Sequence, residues 1–147
     1  MQLFRTMDIA ASGLEAQRIR MDIIAENLAN MHSTRTSTGG PYRRKQAVFA
    51  AQVWPSGRIR PPFLVGRGSP PGGGVAVLTV VEDQSPPQLI YDPTHPDADP
   101  DGTVRMPNVN PLVELVDMIS ATRSYQAGAA MLKAARELAR AALDISR

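Results

Sequence analysis

The stretch NPLVELVDMISATRSYQAGAAMLKAARELARAALDISR, residues 110–147, decides the fold. Asn110 supplies a side-chain oxygen for the orphan N–H groups of a helix start, and Pro111 lacks the N–H that the first helical position leaves unused. No other proline follows before Arg147, so one long C-terminal helix is predicted over 111–147. Two apolar stripes run along it, first Leu112, Val116 and Ile119, then Met131, Ala135, Leu138, Ala142 and Ile145 at heptad spacing. The stripes differ in phase, which predicts a stutter or local unwinding between Arg123 and Gly128. The many alanines from Ala127 to Ala142 let a neighbouring helix axis come close.

At the other end, Met7, Ala11, Leu14, Met21, Ala25 and Leu28 recur at alternating steps of four and three, with Arg18 as the exception. Ile23 and Ile24 widen this stripe enough for a second neighbour. A helix starting near Phe4 is predicted, with Gly13 weakening its early turns by about 1 kcal/mol relative to alanine. It should stop between Asn30 and Ser33, where helix formers give way to a Thr-rich run and Gly39-Gly40-Pro41. The expected fold is α+β: terminal helices in segments 1–31 and 111–147 pair as a coiled-coil-like hairpin, and 32–110 forms a β-rich, Pro/Gly-rich insert.

Within the insert, strand-like runs occupy Gln46–Trp54, Val75–Glu82 and Leu89–Tyr91, which predicts one small antiparallel sheet. Residues 92–107 carry four prolines and are expected to be loop. Charge divides the insert. No carboxylate lies between Asn27 and Val81, where Arg35, Arg43, Arg44, Lys45, Arg58, Arg60 and Arg67 fall, whereas Glu82 to Asp101 holds six acids and no Lys or Arg. The halves can pair within one subunit or between neighbours.

A chain of 147 residues with a net charge of +2 fits one domain and lacks the strongly basic balance of most duplex-binding proteins. Without cysteine it has no disulfide, thiolate nucleophile or Cys-ligated metal. No apolar run reaches signal-peptide or membrane-spanning length, so neither a cleaved leader nor a span is expected. Asp97-Ala-Asp99-Pro-Asp101-Gly102 begins like a calcium loop, but Asn108 stands where the bidentate Glu belongs, and an acidic turn is the simpler reading. His95 and His32 do not make a zinc site, and Ser69–Gly74 lacks the Gly-Lys-Ser/Thr ending of a phosphate loop. No nucleophile, base and orienting group fall into a catalytic pattern, so no enzyme, metal or cofactor is expected. The alternative to a structural protein is a nucleic-acid-binding or adaptor module using the basic segment 35–67, with Tyr42 beside Arg43-Arg44-Lys45 as its best feature.

Several motifs span nearly the whole chain in order. They are Ala11-Ser-Gly-Leu-Glu-Ala-Gln17, Asn27-Leu-Ala-Asn30, Gly40-Pro-Tyr-Arg-Arg-Lys-Gln46, Tyr91-Asp-Pro93, Met106-Pro-Asn-Val-Asn110 and Ser120-Ala-Thr-Arg-Ser-Tyr-Gln126. Together they resemble the flagellar rod and hook axial protein family, in particular its proximal-rod members. This chain has Gly128 where the family pattern continues with Asn. The resemblance implies a structural subunit of the proximal rod of the bacterial flagellar basal body, whose terminal helices polymerise into a drive shaft carrying torque across the periplasm. It implies export by the flagellar type III apparatus without a cleaved signal. The implied partners are further copies, other rod proteins such as FlgB, FlgF and FliE, and the motor (MS) ring, with no nucleic acid and no small-molecule substrate. The terminal helices are expected to be incomplete alone and to gain order on docking.

The residues expected at subunit interfaces are Met7, Ala11, Leu14, Met21, Ala25 and Leu28 on the first helix, and Leu112, Val116, Ile119, Leu138 and Ile145 on the second. From the motifs come Asn27, Asn30, Tyr42, Arg43, Arg44, Lys45, Asn108, Asn110, Arg123, Tyr125 and Gln126. Asn27 and Asn30 either cap the helix end or link it to a neighbour. Charge reversal at Arg43–Lys45 is expected to impair assembly without changing monomer folding.

Overall fold

The computed structural model describes residues 2–37, 39–52 and 73–145, with side chains from 5 to 144 within those ranges. Its elements are α1 (Gln2–Ala29), β1 (Lys45–Ala51), β2 (Val75–Glu82), β3 (Gln88–Tyr91), β4 (Thr103–Met106) and α2 (Pro111–Ile145). The fold is α+β, with a helix at each end and small antiparallel sheets between them. Trp54, Arg58, Arg60, Arg67, most of Ser69–Gly74 and the Ile145 side chain lie outside the described residues.

The α2 start follows the sequence. Asn110 Oδ1 accepts the Leu112 N–H at 3.0 Å, and the Asn110 carbonyl accepts the Glu114 N–H at 3.1 Å. The expected stutter is absent: α2 runs unbroken through Gly128. Its covered positions include Glu114, Met118, Ala121, Gly128, Leu132, Ala135 and Ala139, and with Tyr125 these step by four and three without a slip. The two out-of-phase stripes arose because Leu112, Val116, Ile119, Met131 and Leu138 lie on the outside. A hydrophobic run longer than one buried face needs carries no single phase.

The α1 seam is also corrected. Ala10, Leu14, Gln17, Met21, Ile24 and Leu28 are buried or half-buried, while Ala11, Arg18 and Ala25 are exposed. Gln17 takes the place that Arg18 was expected to interrupt, and Ala10 and Ile24 replace Ala11 and Ala25. Leu14 meets α2 at Gly128, where an added Cβ would stand 3.0 Å from Leu14 Cδ2. The Thr122 hydroxyl points at the Met21 sulfur at 3.6 Å, and Asn27 donates to Glu114 at 3.1 Å. Position numbers fall on one helix as they rise on the other, so α1 and α2 lie antiparallel.

Two two-stranded sheets replace the single sheet expected. The pair β1–β2 is antiparallel from Lys45↔Glu82 to Ala51↔Val75, with a bulge that leaves Leu78 without a partner. The pair β3–β4 runs from Gln88↔Met106 to Tyr91↔Thr103. Strand β4 was expected to be loop because prolines surround it. They fall outside it, and Gly102, at φ 74°, turns the chain so that its carbonyl accepts the Asp92 N–H and Val104 is 2% exposed. Four prolines in a window argue against a long strand, not against a four-residue one.

The sheet β1–β2 rests on α1 through a specific joint. The Ser12 hydroxyl donates to the Ile9 carbonyl at 2.7 Å and accepts the Val75 N–H at 3.2 Å. The preceding Gly74 has φ 114°, and a Cβ there would lie 3.1 Å from Ser12 Cβ and collide with its hydroxyl. Gly74→Ala should therefore lower stability by about 2 kcal/mol, through left-handed strain and loss of this contact. Gly13→Ala, at a helical glycine with open space for a Cβ and no positive φ, is the comparison, and thermal melts of both variants check it.

Candidate functional site

A buried polar hub lies where α1 ends, β1 begins and α2 starts. Asn27 is 1% exposed and Glu114 is 0% exposed. Asn27 Nδ2 donates to the Lys45 carbonyl at 2.9 Å and to Glu114 Oε2 at 3.1 Å. Its Oδ1 accepts the Tyr42 hydroxyl and the Lys45 N–H, both at 2.9 Å. Both donors and both acceptor sites of the amide are used, the condition for burying it without penalty.

Charge is balanced one layer out. Arg44 Nε donates to Glu114 Oε1 at 2.5 Å, and the two guanidinium groups of Arg44 and Arg20 each reach Asp117 at 3.4 Å. Lys45 Nζ pairs with Glu26 at 2.5 Å and sits 5.6 Å from the Tyr42 ring centre. The Arg44 N–H donates to Asn108 Oδ1 at 2.9 Å, and Asn108 Nδ2 reaches the Asp83 carbonyl at 3.3 Å. Three sequence-distant motifs, around Asn27, Tyr42–Lys45 and Asn108–Asn110, thus meet in one cluster. Burial, followed by the carboxylates of Glu26, Glu114 and Glu82, pushes the Tyr42 phenol up to about 12.

The expected interface residues separate into two groups. Tyr42, Arg44 and Asn27 turn into the subunit, with Lys45 and Asn108 half-buried beside them. Arg43 alone of its triplet is exposed and donates to Gln84 at 2.6 Å. Reversing the charge of Arg44 would therefore disturb monomer folding, contrary to the expectation, because its partner Glu114 is fully buried. Asn30 donates to the Glu26 carbonyl at 2.9 Å and accepts the Ser33 hydroxyl at 3.0 Å, so it caps the helix end.

Met7, Leu14, Met21 and Leu28 are half-buried, whereas Ala11, Ala25, Asn110, Arg123, Tyr125 and Gln126 stand at the surface. On α2 a patch of large aliphatics is uncovered, with Leu112 71%, Val116 62% and Ile119 54% exposed, and Leu115 beside them.

Sequence reasoning missed Glu114, Asp117, Arg20 and Glu26. An acid four residues after Asn110 reads as an ordinary complement to the helix dipole, which concealed that Glu114 is the hub's buried anion. The signal available was its position, in phase with Ala121 and Gly128 rather than with Leu112 and Val116.

The basic window and the acidic run pair within one subunit: Arg35 bonds Asp97 at 2.9 Å, and Asp97 also accepts the Thr34 hydroxyl at 2.7 Å. Asp99 faces Arg105 at 3.5 Å, so the Asp97 and Asp99 carboxylates of the calcium-like loop turn to separate partners in a turn closed by the Gly102 N–H to the Asp99 carbonyl. The nucleic-acid or adaptor reading finds no support, since Arg35, Arg44 and Lys45 are each held by a carboxylate. No described helix is long and apolar enough to cross a membrane.

Most of both helices, with the hub residues Asn27, Asn108 and Glu114, falls inside the segments that match protein-family models. Residues 7–35 match a family model described as flagella basal body rod protein, and residues 101–145 match one described as flagellar basal body rod FlgEFG protein C-terminal. The class is thus a structural subunit of the flagellar basal-body rod. The flagellar basal-body rod protein FlgC of Borreliella burgdorferi is 42% identical over 153 aligned residues, covering 99% of this chain and 98% of its own. That of Bacillus subtilis is 40% identical with full coverage of both, and that of Salmonella typhimurium 41% identical over 94% of this chain and 93% of its own. The chain belongs to the FlgC family of flagellar basal-body rod proteins.

Two measurements test the hub. Asn27→Ala leaves Tyr42, both Lys45 backbone groups and Glu114 short of a partner, and should cost about 3 kcal/mol or more in urea unfolding. Tyr42 gives a pH dependence. The unfolded phenol ionises near pH 10 and the folded one near 12, so its stabilising contribution is intact below pH 10 and falls by about 3 kcal/mol as pH rises to 12. Tyr42→Phe, about 1 kcal/mol less stable at pH 8 for want of its hydrogen bond, lacks that loss. The gap between the two proteins should close and then reverse across this range.

Proposed function

We propose that this subunit polymerises through its terminal helices into the proximal rod, a drive shaft that carries torque across the periplasm from the motor (MS) ring. The observation that supports this is the uncovered aliphatic patch of α2, Leu112, Val116 and Ile119, in a member of a rod-protein family. On this reading α1 and α2 form a coiled-coil-like hairpin, segments 1–31 and 111–147 are the rod core, and 32–110 is an insert carried outside it. The occupants of the α2 patch are other copies of this chain and neighbouring rod proteins such as FlgB, FlgF and FliE. Delivery is by the flagellar type III apparatus without a cleaved signal. The subunit works by shape and stiffness, without catalysis, metal or cofactor.

Rigidity is then collective. Each large aliphatic side chain covered by a neighbour contributes roughly 1.5–3 kcal/mol, and a tube repeats that contact at every subunit. The half-buried seam residues Met7, Leu14, Met21 and Leu28 serve the hairpin itself, and their exposed edges are available to the next helix.

Ile119→Asp places a charge on the outer patch without touching the hub. The variant should keep the wild-type melting temperature as a monomer yet abolish swimming and rod assembly, because burying an unpaired carboxylate at a seam is strongly disfavoured. Leu28→Asp should abolish swimming and also lower the melting temperature. Normal motility of cells carrying Ile119→Asp as their only copy would refute the assignment of this face.

A further inference from the structure

We infer that the outward face of α1 in one copy receives the outward face of α2 in a second copy, in one defined register; this rests on the rod reading above. The outward face of α1 combines small residues, Ala11, Ala25 and Ala29, with the carboxylates of Asp8, Glu15 and Asp22 and a single cation, Arg18. The outward face of α2 offers the aliphatics Leu112, Val116 and Ile119 near its start and the cations Arg123, Lys133 and Arg140 further along, with the acids Glu137 and Asp144 toward its end. One face is small and acidic, the other large and basic.

The hairpin fixes which positions come level. The cross-helix partners Leu14/Gly128, Met21/Thr122 and Asn27/Glu114 place residue 8 level with 134, 15 with 127 and 25 with 117. Two copies side by side with parallel axes and no axial shift therefore set Ala25 and Ala29 opposite Val116 and Leu112, so small residues meet large ones. In the same register Asp8 comes beside Lys133, and Arg123 comes level with Arg18, with Glu15 and Asp22 on either side of it. Size therefore matches at this setting, and Lys133 and Arg123 each have an α1 carboxylate within about one turn.

Like-with-like contacts do not match. Two α1 faces would bring six carboxylates together against two cations, and two α2 faces would crowd large aliphatics on aliphatics and cation on cation. The contact is heterologous: each copy presents two different surfaces, so addition does not stop at a dimer and builds a ring or helical array.

The absence of cysteine makes a direct test clean. In motile cells whose only copy carries Ala25→Cys with Val116→Cys, oxidation of isolated basal bodies should give a ladder of dimers, trimers and higher species on a non-reducing gel. Each single variant should stay monomeric, and no link forms within one chain because the two positions face away from each other. Dimers from a single variant, or no cross-link in motile double-variant cells, would overturn the inference. A charge exchange is the second arm. Asp8→Lys and Lys133→Glu should each cut the motile fraction at least tenfold, and the two together should restore it. A double variant no better than either single would count against the register while leaving the rod reading intact, since that reading stands or falls with Ile119→Asp.

Discussion

The Asn27 amide is the contact on which the rest of the structure depends. A helix end, an incoming strand and the start of a second helix all need their position fixed to within a hydrogen bond, and apolar packing is too tolerant to do that alone. One planar group with two donors and two acceptor sites does it: Tyr42 and Lys45 set the strand, and Glu114 sets α2. A buried amide holding four partners is satisfied in only one arrangement, so it specifies geometry rather than adding much net stability. Glu114 follows from it. An anion without exposure needs a cation close by, and Arg44 supplies one, tied through its backbone to Asn108.

With that end fixed, the hairpin has a gradient. The fully buried residues of α1 are Ala16, Ile23, Ile24 and Asn27, and those of α2 are Glu114 and Ala121. Beyond them, residues 5–15 of α1 and 129–144 of α2 include no fully buried side chain. Two helices side by side enclose little volume. Apart from the joint between Ser12 and the insert, each keeps one covered stripe and leaves the rest to solvent or to another molecule. The expectation that the ends are incomplete alone acquires a location: it concerns the far half of the hairpin, because the near half is pinned by hydrogen bonds at Asn27 and Arg44.

How much of this was legible in the sequence follows from what each residue type reports. The helices were readable, since Asn110-Pro111 is a local signal and proline-free length is hard to hide. Their inward faces were not. On α2 the largest aliphatics, Leu112, Val116 and Ile119, lie outside, and the smaller Ala121, Gly128 and Ala135 lie inside. Counting large hydrophobics finds the buried face only when one face is buried. Where a chain carries a second apolar face, small residues mark the close helix–helix approach and large ones the open side. Gly128 illustrates this: it stood out as a departure from the family pattern and as a break point, and it is the space into which Leu14 packs.

The hub was invisible for a different reason. Asn27, Tyr42, Arg44 and Asn108 were singled out as motif residues, but a polar residue in a motif suggests a surface role, and surface contact between subunits was the natural expectation. The structure buries Asn27 and Tyr42 and half-buries Arg44 and Asn108, and hydrogen bonds between elements far apart in sequence have no periodicity to betray them. This division has a physical logic. A subunit that must present the same outer faces to every neighbour has to fix the rotation of its helices about their own axes. Apolar seams alone permit small slips of that rotation, whereas a saturated amide and a buried ion pair do not. The polar residues inside thus govern how accurately the apolar residues outside are aimed.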